Sequence, residues 1–146
     1  MKIRLAWVGK TKERFIQEGI EKYLRLLKPF ADIAVSEIRE EKGKDIQRMV
    51  EKEGERILKL RVPYVLLDER GKEYTSVAFA DFLAARQPAV QFVVGGAYGV
   101  SDGVKAAAQS SLALSRMTLT HEMSRLLLVE QLYRAVTITH KRGYHH

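Results

Sequence analysis

Apolar and polar positions along this chain follow two different periods, and the switches between them mark out its elements. Lys2 to Val8 reads as a strand closed by Gly9. A helical period then sets Phe15, Ile16, Ile20, Tyr23, Leu24 and Leu27 on one face, predicting a helix from an N-cap at Thr11 to Leu27, stopped by Pro29. Asp32 to Ile38 alternates like a strand. A charged loop around Gly43 leads to a charged helix, Asp45 to Leu60, with Ile46, Met49, Val50 and Ile57 on one side. Beyond Pro63, the apolar run Tyr64 to Leu67 reads as a strand ending at Asp68, with a turn through Gly71. Ser76 caps a helix to about Arg86, and Val90 to Val94 is a buried strand running into Gly95-Gly96-Ala97-Tyr98-Gly99. Ser101 caps a short helix to Ala108, Leu112 to Ser115 forms a last short strand, and Thr120 caps a long helix from His121 to Thr139.

Strands alternating with helices predict an α/β fold, a mostly parallel sheet with helices on both faces. No repeat, low-complexity stretch or Pro/Gly/Ser linker divides the chain, so residues 1–146 read as a single domain. In such sheets ligands bind beyond the carboxyl ends of the strands. Three places qualify: Leu67-Asp68, the Gly95–Gly99 loop and the Ser115–Thr120 loop.

Composition narrows the function classes. Apolar residues at 46% and charged residues at 29% suit a soluble globular chain and exclude disorder, collagen and coiled coil. No apolar run is long enough to span a bilayer, and the N-terminus lacks an uninterrupted apolar segment for secretion. With Cys 0 there is no disulfide, thiolate metal site or cysteine nucleophile, which fits a cytoplasmic location. Lys+Arg 25 against Asp+Glu 18 gives +7, with 16 basic and 11 acidic residues up to Val62. That balance suits a nucleic-acid partner, although a solvated charged surface has the same composition.

The glycine loop follows a strand and opens a helix, where positive φ, close backbone approach and free N–H groups favour a ligand. It matches neither the dinucleotide fingerprint nor the P-loop. Ser115-Arg116-Met117-Thr118-Leu119-Thr120 can wrap a ligand with one polar and one apolar end, or simply cap the helix with Met117 and Leu119 tucked inward. His121-Glu122-Met123-Ser124-Arg125 misses the zinc-protease pattern because Arg125 replaces the second histidine, leaving His121 as a cap or a substrate contact. The long helix is apolar on more than one face, which implies complete burial or a second copy of the chain, and a homodimer is the preferred reading. The terminal Lys141-Arg142-Gly143-Tyr144-His145-His146 is either a frayed end, a tag remnant, or a cationic aromatic arm for RNA that carries an imidazole.

Taken together, Val93-Val-Gly-Gly-Ala-Tyr-Gly99, Leu114-Ser-Arg-Met-Thr-Leu-Thr-His121, Leu126-Leu-Leu-Val-Glu-Gln-Leu-Tyr-Arg-Ala135 and the terminal Tyr144-His145-His146 resemble the bacterial ribosomal RNA large-subunit methyltransferase H family of the SPOUT superfamily. The resemblance spans essentially the whole chain. It departs at Thr120 and Gly143, where many members carry proline.

The resemblance implies a C-terminal trefoil knot, although connections in proteins are otherwise almost never knotted. It also implies S-adenosyl-L-methionine as cofactor, a homodimer, and N3 methylation of a pseudouridine in 23S rRNA on the assembled ribosome, with no metal and no membrane. Its cofactor positions fall on Leu67, Gly95, Gly96, Ser115, Arg116, Met117, Thr118, Leu119 and Thr120. His145 is the expected proton acceptor or base anchor, Tyr144 its stacking or hydrogen-bonding neighbour, and Arg125 or a tail residue the cation for charge developing on the ring. His121, Arg142 and His146 are the expected substrate contacts. The alternatives are a SPOUT enzyme acting on another RNA such as tRNA, or a non-catalytic basic ribosome-binding protein.

Overall fold

The computed structural model describes residues 1–146. Five strands, β1 (Lys2–Val8), β2 (Asp32–Ile38), β3 (Val65–Glu73), β4 (Ala89–Val94) and β5 (Ser110–Ala113), pair in the order β2-β1-β4-β3-β5, every ladder parallel. Five helices connect or follow them: α1 (Arg14–Leu27), α2 (Ile46–Leu58), α3 (Ser76–Ala84), α4 (Asp102–Ala107) and α5 (His121–Thr139).

The period-two alternation of each central strand divides the core into two. Ile3, Leu5 and Trp7 of β1 and Phe92 and Val94 of β4 face one side, where they pack with Ile16, Ile20, Phe79, Leu83, Leu128 and Leu132 of α1, α3 and α5. Ala6, Val8 and Val93 face the other, against Ile57 and Val104 of α2 and α4. The α/β expectation with helices on both faces is met. The long α5 is apolar on several sides because it lies between α1 and α3 and over the sheet, its Leu126 pressed onto Gly19 of α1. No helix is long and apolar enough to cross a membrane.

Capping chemistry explains most boundaries. The side chains of Asp45, Ser101 and Thr120 accept from the N3 amides of α2, α4 and α5; Ser101 and Thr120 are the caps expected from the sequence, whereas Asp45 stands just before α2 rather than within it. Two caps differ. Helix α3 is capped by Thr75, which accepts from the Ala78 amide at 3.1 Å, while Ser76 donates instead to Gln131 of α5 at 2.8 Å. Helix α1 begins at Arg14, and Thr11 is not its cap. A carboxylate from a distant helix takes that place: Glu122 Oε1 accepts from the amides of Lys12 at 3.0 Å and Glu13 at 2.9 Å. A charge supplied by tertiary contact has displaced the local hydroxyl, an outcome that periodicity near Thr11 does not encode.

Strand β3 also departs from expectation by continuing past Asp68. Leu67 and Lys72 both pair with Leu112 of β5, so residues 68–71 leave the ladder and return to it. The turn through Gly71 is therefore an excursion within a strand. Asp68 Oδ1 accepts from the Arg70 amide at 3.0 Å and tightens it. A β-carbon on Gly71 would stand 2.7 Å from the Leu112 nitrogen and the Ser111 carbonyl carbon, so only glycine fits against β5 there. The last strand lies two residues earlier than its predicted Leu112–Ser115 span, since Leu114 and Ser115 already belong to the loop.

Two outcomes follow for stability. Gly71→Ala forces backbone apart from backbone and should destabilise the fold by about 1–3 kcal/mol in urea unfolding; an unchanged midpoint would remove the close approach. Burial raises the Glu122 carboxyl, but the Glu13 and Lys12 amides and the nearby Arg125 charge outweigh it and hold the group below its ordinary 4.5. The folded state therefore binds fewer protons than the unfolded chain between that lower value and 4.5. This contribution is complete above pH 4.5 and disappears as pH falls through the folded value. Glu122→Gln should cost about 1.5–3 kcal/mol at neutral pH, with the difference from wild type shrinking on acidification; a pH-independent difference would exclude the charge as the cause.

Candidate functional site

The carboxyl ends of β3, β4 and β5 open into one cavity of about 780 Å³. Its walls are the excursion 68–71, the glycine loop, the 114–120 loop and the start of α5. Leu67, Val94, Leu112 and Leu114 form an apolar floor, with Asp68, Glu69, Arg70 and Lys105 among the charged groups around it. This volume is typical of small-molecule sites, and the lining mixes a few polar groups into an apolar surface as such sites do.

Each wall is held by identifiable contacts. In the glycine loop, Gly96 and Gly99 pair antiparallel and the Gly99 amide donates to the Gly96 carbonyl at 3.1 Å, making Ala97 and Tyr98 the centre of a tight turn. Gly99 has φ +82, a left-handed conformation that glycine adopts without strain. A β-carbon on Gly95 would lie 2.7 Å from Val100 and 3.1 Å from the Gly99 backbone. In the 114–120 loop, Ser115 Oγ accepts from the Met117 amide at 2.9 Å. Thr118 donates to Glu69 of the excursion at 2.7 Å, tying two walls together.

Of the residues expected to hold a cofactor, Leu67, Gly95, Gly96, Ser115, Met117, Thr118, Leu119 and Thr120 line this cavity. Arg116 does not; its Nε lies 3.0 Å from the Glu73 carboxylate. His121 lines it too, about a quarter exposed. Burial first, then the Arg125 charge, lowers the His121 pKa, so its ring is neutral at pH 7. The walls also include Glu69, Arg70, Lys105, Leu112, Leu114 and Ser124, which the strand-end rule and the loop motifs do not mark as site residues. Ser124, four residues after Thr120 on a helix, was accessible to spacing; the excursion residues were not.

The residues assigned to chemistry are placed elsewhere in the chain. Arg125 is wholly buried, its Nη2 donating to the Val8 carbonyl and its Nη1 to Thr11 Oγ1 at 3.0 Å, with the guanidinium 5.2 Å from the Trp7 ring. Burial works against its charge, and the fields of Glu122, Glu37 and Glu40 support it. It is absent from the cavity wall and instead fixes the start of α5 to the end of β1.

The tail folds back along α5. Tyr144 packs edge-on against Tyr133 and donates to Glu130 Oε1 at 3.1 Å, and the Arg134 guanidinium stands 4.8 Å from its ring centre. Burial and its hydrogen bonds with Tyr23 and Glu130 push the Tyr144 phenol well above its ordinary value. His145 Nδ1 is 3.0 Å from Arg134 Nη1. Arg142 and His146 are exposed, and no tail residue borders the cavity of its own chain. No cluster of three or more histidine, aspartate or glutamate side chains is gathered for a metal.

Comparison with known proteins places this architecture. The family model "Predicted SPOUT methyltransferase" matches residues 1–145. A ribosomal RNA large subunit methyltransferase H from Geotalea daltonii is 44% identical, with 100% of both chains covered. One of the same name from Thermodesulfovibrio yellowstonii is 46% identical over 99% of each. Among solved structures, a methylase family protein from Haemophilus influenzae Rd KW20 superimposes with a TM-score of 0.59 at 14% identity, over 99% of this chain and 70% of that one. A methyltransferase from Legionella pneumophila with bound SAM gives 0.53 at 14% identity, over 95% and 66%. These two share the fold. The match along almost every residue, joined to relatives of closely similar length, establishes that the chain belongs to the SPOUT methyltransferase family.

Proposed function

We propose that this protein transfers the methyl group of S-adenosyl-L-methionine to N3 of a pseudouridine in 23S rRNA, acting as a homodimer on the assembled ribosome. The observation that carries the reading is the meeting of three strand-end loops in one cavity, in a chain 44–46% identical to ribosomal RNA large subunit methyltransferase H proteins from two bacteria. The cofactor seen in the Legionella neighbour supports the choice of donor. The SPOUT reading brings with it a C-terminal trefoil knot.

The cavity suits S-adenosyl-L-methionine. Its apolar floor, Leu67, Val94, Leu112 and Leu114, would cover the adenine faces, while the backbone around Gly96 and Leu119 would meet the ring edges. Ser115, Thr118 and Thr120 supply hydroxyls for the polar parts. Arg116 would act from outside, holding the 114–120 loop through Glu73. When bound, the cofactor supplies a methyl group already activated on a sulfonium.

The chain's own work is alignment and proton removal. The acceptor N3 would lose its proton as it takes the methyl group that the bound donor would supply, the donor's sulfonium being left as a neutral thioether. Neutral His121 in the wall would donate to or accept from the uracil-like ring. Arg125 would serve as a positioning residue for the α5 start that carries His121. The tail, distant from its own cavity, would reach the cavity of a second copy. There His145 would take the N3 proton, Tyr144 would stack or hydrogen-bond beside it, and Arg142 and His146 would hold phosphate. Positive charge over the first half of the chain would attract the RNA backbone.

The experiment is methyl transfer from labelled S-adenosyl-L-methionine to ribosomes, followed by mass mapping of the RNA and calorimetry of cofactor binding. N3-methylated pseudouridine in 23S rRNA is expected. Labelling of tRNA alone would move the enzyme to another RNA, and failure to bind the cofactor would leave a ribosome-binding protein. Removal of Tyr144–His146 should lower turnover by roughly 10²-fold or more at unchanged cofactor affinity; full turnover would exclude the tail. Gly96→Val should abolish cofactor binding, because a β-carbon there already sits 3.3 Å from Val8 and the branched side chain must displace the loop.

A further inference from the structure

Tyr98 is the aromatic side chain that the cofactor reading leaves without a task. Phe15 and Tyr98, each 61% exposed, are the two most exposed large aromatics, and of these Tyr98 borders the cavity. Its ring neither stacks on another aromatic ring nor lies under a cation. Its backbone is nevertheless firmly held. The Gly96–Gly99 bridge closes the turn beneath it, and Gly95 folds against Val100 and the Gly99 carbonyl too tightly for any larger residue. An exposed apolar ring on a rigid two-residue tip loses little conformational entropy when something covers it.

The rest of the rim indicates what that partner is. Met117, 77% exposed, projects from the separate 114–120 loop onto the same cavity. Arg70 and Lys105 line it as well, and neither has a carboxylate partner, unlike Arg116 with Glu73 or Arg134 with Glu130. A flat apolar ring, a flexible apolar side chain and two cations with no ion-pair partner, in a lining that also carries Asp68 and Glu69, match a single nucleotide with its planar base and flanking phosphates. Enzymes that modify a base in folded RNA must accept it out of its stack, and an aromatic face restores part of the stacking that is lost.

We propose that Tyr98 is the stacking platform that receives the substrate nucleobase, with Met117 against the opposite face and Arg70 and Lys105 on the adjoining phosphates. The assignment rests on the RNA-methyltransferase reading and adds to it the residue that receives the base.

The test compares wild type, Tyr98→Ala and Tyr98→Phe in steady-state methylation of ribosomes, with calorimetric Kd for S-adenosyl-L-methionine measured on each. Loss of one base–aromatic stack should raise the KM for ribosomes in Tyr98→Ala by roughly 5- to 150-fold. Tyr98→Phe, keeping the ring face, should recover it to within about twofold of wild type, and cofactor Kd should stay constant throughout. Unaltered KM in Tyr98→Ala with an active wild type overturns the platform alone. Equal weakening of cofactor binding in Tyr98→Ala also overturns it, by moving the ring to the cofactor wall. A wild type that binds cofactor but methylates no RNA overturns the functional reading, and the platform with it.

Discussion

A wholly buried arginine is the constraint on which the site depends. Removing a guanidinium from water is costly unless its donors find acceptors and its charge finds a field. Two of the Arg125 nitrogens find acceptors because α5 starts where it does, Nη2 on the Val8 carbonyl at the end of β1 and Nη1 on Thr11 Oγ1, while the buried Nε has no partner and burial outweighs the supporting carboxylates. Glu122, one turn back on the same helix, meanwhile holds the free amides ahead of α1. The start of α5 is thereby locked to the connection between β1 and α1, more than a hundred residues earlier in the chain. The 114–120 loop has β5 behind it and this corner ahead, so both of its ends are fixed before any ligand arrives.

The all-parallel sheet sets the direction of everything else. Parallel strands bring all their carboxyl ends to one edge, and the crossover helices covering both faces leave that edge as the place where loops converge. The cavity is thus a product of topology as much as of its lining, and its glycines allow the walls to approach closely without side chains filling the space. The tail belongs to another part of the molecule. Tyr144, Tyr133, Tyr23 and Phe30 make a small aromatic cluster along α1 and α5, and none of them borders the cavity. Its seat there explains why, in a single chain, residues with attractive chemistry stay off the cavity wall.

Much of this architecture was legible in the residues. Local signals were strong wherever a cap sits beside the helix it serves, as at Ser101 and Thr120, and wherever period-two alternation marks a strand. Three strand ends were enough to locate the cavity, since the rule relating them to ligands needs only element order. What escaped notice was set by distant contacts. Thr11 looks like a cap until Glu122 arrives from residues more than a hundred positions away. Arg125 looks like a free cation because its sequence neighbours do not disclose that Val8 and Trp7 will enclose it. The excursion at Asp68–Gly71 reads as the end of a strand because its resumption depends on pairing with β5, which no local window contains.

That excursion has a consequence for how the family can diversify. Both of its feet rest opposite the same residue, Leu112, so the segment between them adds nothing to the alignment of β3 with β5. Insertions or deletions at its tip would leave every core side chain on its proper face. One wall of the cavity can therefore change length while the scaffold stays unchanged.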